Sequence, residues 1–229
     1  MIKVENIETF NWDGAIRGMR NPKNSWQKSD SKYDENGKYI IGENDFKLMK
    51  TLFDAGPEHR KYLRQIPISF DITAPLYWWK EYDTYKVGTT SNSCSTMHKI
   101  HDKEFTYEDF SCEHLIDSND EDVIDAIGAE YKDEDGVIMN ITPKEHMRHH
   151  IDILNWYRNL YNKTNNKKYW WQMIQLLPTT YNQKRTLTLD YEVAYNMIRQ
   201  RKNHKLDEWR ELTDILINKL PYMKELIGE

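Results

Sequence analysis

The sequence predicts an α+β chain in which a mixed or antiparallel sheet is packed by helices, with a single domain over residues 1–229. Three observations predict it. Ile66, Ile68, Phe70 and Ile72 alternate with Pro67, Ser69 and Asp71, the period-2 pattern of a half-buried strand. Later segments repeat apolar residues at helical spacing. Aromatic residues make up 13% of an otherwise polar chain, enough ring area to close a core.

The elements follow in order. Residues 1–20 hold a short strand and a helix around Ala15, Ile16 and Met19. Residues 21–43 are polar, with Asn-Pro and Asn-Gly pairs, and read as a surface excursion. Asn44 or Asp45 is placed to cap a helix that turns Phe46, Met49, Leu52 and Phe53 to one side. Ala55-Gly56-Pro57 stops it, and Glu58 to Leu63 forms a second short helix. After the strand, Thr73-Ala74-Pro75 starts an aromatic helix through Trp78, Trp79 and Tyr82. Its rings are read as core. It ends at Gly88, and the run 89–96 reads as a loop of hydroxyl donors. Segment 113–135 carries ten carboxylates and one lysine and reads as a solvated acidic insertion. Thr142-Pro143-Lys144-Glu145 is a capping box that opens a long helix. Asn162 to Lys168 is a polar turn, and Tyr169 to Leu177 is closed by Pro178. Residues 185–190 alternate weakly. Asp190 caps the next helix, Asn203-His204 interrupts it, and Leu206, Trp209, Leu212, Leu216 and Leu220 form the last one.

Composition excludes several classes. Net charge is −5 and the isoelectric point is near 5.9, so no general attraction to nucleic acid or an anionic membrane is expected. Mean hydropathy is −0.89, and no apolar run approaches membrane-spanning length. The N-terminus lacks a secretory pattern, and Cys94 and Cys112 read as reduced thiols, so a cytoplasmic protein is expected. His146, His149 and His150 share a helix but lack the spacing of a zinc motif with its glutamate, and no metal site is expected. Asp133-Glu134-Asp135-Gly136 lacks calcium-loop spacing.

Motifs then bring a family into view. Thr90-Ser91-Asn92-Ser93-Cys94-Ser95-Thr96-Met97-His98 follows a strand and a helix. It resembles the R-H-R-x-x-S-x-N-E-x-S-x-R-Y motif of the flavin-dependent thymidylate synthases. Asn92 and Ser95 coincide with it, and Thr90 stands for the first serine. Ser93, Met97 and His98 stand at the glutamate, arginine and tyrosine. Lys86 keeps the charge of the R-H-R triplet. His59 falls on the first histidine of G-H-x-S-x-x-E-H. Toward the C-terminus, Leu177-Pro178, Thr188, Arg199 and Arg201 fit the family order, and Asp190 and Glu192 replace an Asn and an Arg. Residues 206–210 are a loose counterpart of A-Q-x-E-I-R.

The resemblance implies a flavin-dependent thymidylate synthase-like fold and reductive C5-methylation of dUMP to dTMP. It implies FAD, with NADPH and methylene-tetrahydrofolate as co-substrates, in a homotetramer. It assigns Arg201 and Ser95 to catalysis, and His59, Lys86, Thr90, Asn92 and Thr188 to the cofactor. Ser93, Ser95, Arg199, Arg201 and Arg210 fall to the substrate. Arginine suits phosphate because its planar fork reaches two oxygens. Two other readings accompany this one: C5 modification of another pyrimidine nucleotide, and a diverged nucleotide-binding or protein-interaction module of the same fold.

Overall fold

The period-2 segment forms the strand Pro67–Pro75 of a four-stranded sheet in a computed structural model that describes residues 2–117, 130–132 and 138–228. The spatial order is Lys3–Thr9, Pro67–Pro75, Asn182–Asp190, Thr89–Ser93. Lys3–Thr9 runs antiparallel to Pro67–Pro75, with a bulge between Glu5 and Glu8 where Asn6 takes φ 54°. Ile68, Phe70, Ile72, Leu187 and Leu189 are buried on one face. Ser69, Asp71, Thr186 and Thr188 alternate with them on the other, so the sheet is apolar on one side only. The Asp71 carboxylate there accepts from Asn6 at 2.9 Å and Thr186 at 2.7 Å, and pairs with Lys184 at 3.2 Å.

The chain gathers into two compact units. The first holds most of the sheet with helices Trp12–Arg20, Glu43–Asp54, Tyr191–Arg201, Asp207–Lys219 and Met223–Ile227. Ile16, Met49, Leu63, Tyr191, Trp209 and Leu216 are fully buried in it. Tyr191–Arg201 starts as the sequence predicts, with the Val193 N–H donating to Asp190 Oδ1 at 2.9 Å. Burial raises the Asp190 carboxyl, and the backbone N–H groups it receives offset part of that rise.

The start of Glu43–Asp54 corrects an expectation. Neither Asn44 nor Asp45 caps it; Gly42 is the first flanking residue. The cap arrives from a distant side chain, because Asp30 accepts the N–H groups of Asn44 at 2.9 Å and Asp45 at 3.1 Å. Asp45 is fully buried instead. Its carboxylate pairs with Arg20 at 2.6 Å and accepts from the Ser29 and Ser31 hydroxyls at 2.7 and 2.6 Å. The polar excursion is thereby tied to the body at one buried point, and a short antiparallel pair, Lys32–Tyr33 with Tyr39–Ile40, forms within it. Burial pushes the Asp45 carboxyl up, and the donors from Ser31, Ser29 and Arg20 outweigh it, leaving it below the ordinary value. A depressed folded pKa contributes stability that is complete above about 3.9, the unfolded value, and is lost as pH falls through the folded one. An acid titration of the melting temperature should therefore show a fall below about pH 4 that Asp45→Asn removes.

The second unit is built on Pro143–Thr164 and Lys167–Leu176. The capping box is present: the Glu145 N–H donates to Thr142 Oγ1 at 3.2 Å, and the Thr142 N–H to Glu145 Oε2 at 3.0 Å. The expected polar turn shrinks to two residues, because the first helix continues to Thr164 and Asn165 reverses the chain at φ 51°. Phe105, Phe110, Met147, Ile151, Leu154 and Met173 form the core of this unit. Trp78 and Trp79 are core as expected, at 0% and 1% exposure. Strands Glu130–Lys132 and Ile138–Asn140 pair antiparallel. The rest of the acidic insertion from residue 118, and the Asp133–Gly136 pattern, lie outside the described residues.

Candidate functional site

Residues 89–93, expected as a loop, form the strand Thr89–Ser93 at the sheet's end, antiparallel to Asn182–Asp190. Thr90 sits opposite Thr188 and Asn92 opposite Thr186. β-Branched Thr89 and Thr90 suit a pleated backbone, and side chains alternate between faces. Thr90, Asn92 and Thr188 are exposed and share the polar face. Ser93 falls on the opposite face, opposite Arg185, so it is separated from Asn92 by the pleat.

Gly88 sets the strand's entry. It takes φ +73°, and a Cβ there would meet Val193 Cγ2 at 3.0 Å and Asp190 Oδ2 at 3.5 Å. Gly88→Ala combines left-handed strain with this close approach and should lower stability by about 1–3 kcal/mol, read as a lower melting temperature.

Beyond Gly88 lies a cluster that the sequence does not announce. Arg201 donates from Nε to the Tyr85 hydroxyl at 3.0 Å and from Nη1 to Glu81 Oε2 at 3.2 Å. Its guanidinium lies 5.6 Å from the Tyr85 ring centre and 4.8 Å from that of Trp209. Glu81 Oε2 also accepts from Trp209 Nε1 at 3.1 Å and faces His204 Nε2 at 3.4 Å. His204 Nδ1 accepts from the Leu206 N–H at 3.2 Å. Arg201 is thus a packed and neutralised cation. Lys86 neighbours Tyr85 in sequence and is exposed, with no ion pair among the described residues.

The other predicted residues scatter. Arg199 is exposed and lies 5.7 Å from the Tyr195 ring centre. Arg210 pairs with Asp207 and donates to the His204 carbonyl at 2.7 Å, closing its own turn. His59 is exposed at the Gly56 turn and lines a separate cleft of about 360 Å³ with Met19, Leu52 and Tyr62. Ser95, in the second unit, is exposed and caps the one-turn helix Thr96–Lys99, its Oγ accepting from the His98 N–H at 3.1 Å. The first unit therefore brings Thr90, Asn92 and Thr188 together on one face. Lys86 and Arg201 both adjoin Tyr85, Arg210 touches the edge of that cluster through the His204 carbonyl, and His59 lines a separate cleft.

Sequence reasoning also missed Arg60. It is buried, and its Nε donates to Glu192 Oε2 at 3.0 Å. The Arg60 guanidinium lies 5.5 Å from the Phe53 ring centre and 4.7 Å from that of Tyr195. Glu192 stands where the resembled family has an arginine, and Arg60 satisfies it. The only prior signal was that acidic replacement, which implied a cation nearby.

An antiparallel-edged sheet with helices packed on one face and polar hydroxyls and an amide on the other defines the class: an α+β protein with the flavin-dependent thymidylate synthase fold. The solved structures it matches include that enzyme from Helicobacter pylori complexed with FAD and dUMP, at 14% identity and TM-score 0.64, over 99% of this chain and 98% of that one. A second structure of the Helicobacter pylori enzyme with FAD and dUMP gives 15% identity, TM-score 0.65 and full coverage of both chains. A UMP/dUMP methylase, PolB from Streptomyces cacaoi, bound with 5-Br dUMP, gives 13% identity and TM-score 0.61 over 100% of this chain and 95% of that one. No family profile matches the sequence, and no curated protein matches it in sequence.

A flavin diphosphate needs cations whose charge is not already met, and within one chain the described residues leave Lys86 and Arg199 without an ion pair. Arg201 serves Glu81, Arg210 serves Asp207, Arg185 serves Asp83 and Arg60 serves Glu192.

Proposed function

We propose that the chain is a cytoplasmic, FAD-dependent enzyme of pyrimidine nucleotide C5-methylation, converting dUMP to dTMP with methylene-tetrahydrofolate and NADPH. The observation that carries this reading is the fold, shared end to end with proteins solved with FAD and dUMP or with 5-Br dUMP. Lys86 and Arg199 alone carry open charge near these positions among the described residues, and the family resemblance supports a site completed between copies in a homotetramer. In it, Lys86 and Arg199 supply charge to phosphate. Thr90, Asn92 and Thr188 supply hydroxyl and amide hydrogen bonds to the nucleotide or cofactor. Arg201, assigned to the nucleotide, is held by the Tyr85 hydroxyl and Glu81. As the resemblance implies, Ser93, Ser95 and Arg210 are assigned to the nucleotide and His59 to the cofactor. No covalent step is assigned to any of these side chains.

The test is the purified protein itself. Visible flavin absorbance, or uptake of added FAD, with turnover on dUMP measured beside UMP and dCMP, supports the reading. A colourless protein that takes up neither FAD nor dUMP overturns it. A preference for UMP or dCMP would keep the chemistry and change the nucleotide. Asn92→Ala should weaken dUMP binding about tenfold without moving the melting temperature, because the side chain is exposed on an edge strand.

One observation favours a second reading, a diverged nucleotide-binding or protein-interaction module of the same fold. Two carboxylates, Glu81 and Glu192, occupy arginines that an anionic ligand would otherwise use. Nucleotide binding without turnover would support it. Rescue of a thymidine-requiring strain would eliminate it.

A further inference from the structure

The second unit contains a cleft of about 510 Å³ that no carboxylate lines among the described residues. His98, His101, Lys167 and Asn165 are its polar groups, with the rings of Tyr161 and Trp170 beside them. The Lys167 ammonium lies 5.8 Å from the Trp170 ring centre and makes no ion pair among the described residues. His101 Nε2 faces Asp102 at 3.5 Å, but its Nδ1 is buried with no hydrogen-bond partner. Asp102 is turned to Lys99 as well, at 2.9 Å, and is not part of the lining. The Trp170 N–H is already spent on the Met97 carbonyl at 3.1 Å, which fixes the indole and leaves its π-system as the contact surface. His101 packs edge-on against Tyr161, with centroids 4.9 Å apart.

Lys167 is the one charged group of the lining, and in a chain of net charge −5 an unpaired ammonium with no acid beside it in the cleft runs against the overall charge. The nitrogen donors suit a phosphate. The volume is in the range of a small-molecule site, larger than a bare phosphate fills, and the remaining wall is aromatic. We infer that this cleft binds a phosphate monoester carried on an aromatic ring, the phosphate held by Lys167 and His98 and the ring laid against Trp170 and Tyr161. The site shares no residue with the Lys86–Arg201 cluster and goes beyond the proposed C5 chemistry.

The test is calorimetric titration of the full chain with phenyl phosphate, inorganic phosphate and phenol. Phenyl phosphate should bind most tightly, inorganic phosphate more weakly and phenol not measurably. Lys167→Ala should weaken both phosphates about tenfold, with Lys167→Arg restoring most of the loss. His98→Ala should weaken both by a smaller factor. Both residues are exposed, so neither substitution threatens folding. Unchanged affinity in Lys167→Ala, phenol binding as well as phenyl phosphate, or equal affinity for inorganic and phenyl phosphate would each overturn the proposal. Loss of flavin or of dUMP turnover bears on the proposed enzyme and leaves this result standing.

Discussion

Arg60→Met should lower the unfolding free energy by about 3–5 kcal/mol, because it strands the Glu192 carboxylate in the core without its cation. Both side chains are nearly inaccessible, at 7% and 8% exposure, so water cannot replace the lost partner. Arg60 also covers Phe53 and Tyr195, and methionine restores only part of that contact. The measurement is urea unfolding of the single variants and of Arg60→Met combined with Glu192→Met. The double variant should recover most of the loss, since a well-packed apolar pair often equals a buried ion pair. A double variant as unstable as Arg60→Met alone would show that packing, and not the stranded charge, sets the cost. The pair also explains a replacement in the resembled family's pattern: an acid at position 192 is tolerable only with Arg60 beside it.

The second large effect is expected on binding. Under the proposed dUMP chemistry, Glu81→Gln should increase dUMP affinity by about tenfold, because it removes the negative charge that faces Arg201 and keeps an acceptor for Trp209. Titration of dUMP into both proteins reads it directly. An unchanged or weaker affinity would show that Arg201 is a structural cation outside the nucleotide site. Arg201→Ala is a poorer probe, since the guanidinium packs against Tyr85 and Trp209 and its removal should cost stability as well as charge.

What the sequence reveals depends on how local the cause is. Ile68, Phe70 and Ile72 announce their strand because one face is buried and the other is not. Thr142 with Glu145, and Asp190 with Val193, announce their helix starts because cap and helix are neighbours. Thr89–Ser93 stays hidden because an edge strand with mostly exposed side chains has no apolar alternation to display. The start at Glu43 stays hidden because Asp30 supplies its cap through a reversal of the chain. The site divides in the same way. Thr90 and Thr188 face each other across the outer strand pair. Ser93, next to Asn92 in the sequence, falls on the other face because the segment is a pleated strand and not a loop. The Glu81 partner of Arg201 is 120 residues away, and no spacing links them.

The outermost strand has a consequence for how such a fold can change. Its alignment with Asn182–Asp190 is held by main-chain bonds and by the bend at Gly88, with few apolar side chains to lock it in register. A slip of two residues would present a different set of hydroxyls and amides on the same surface and leave the interior untouched. Small insertions or deletions in this one segment are therefore a low-cost route to new ligand preferences on an old scaffold.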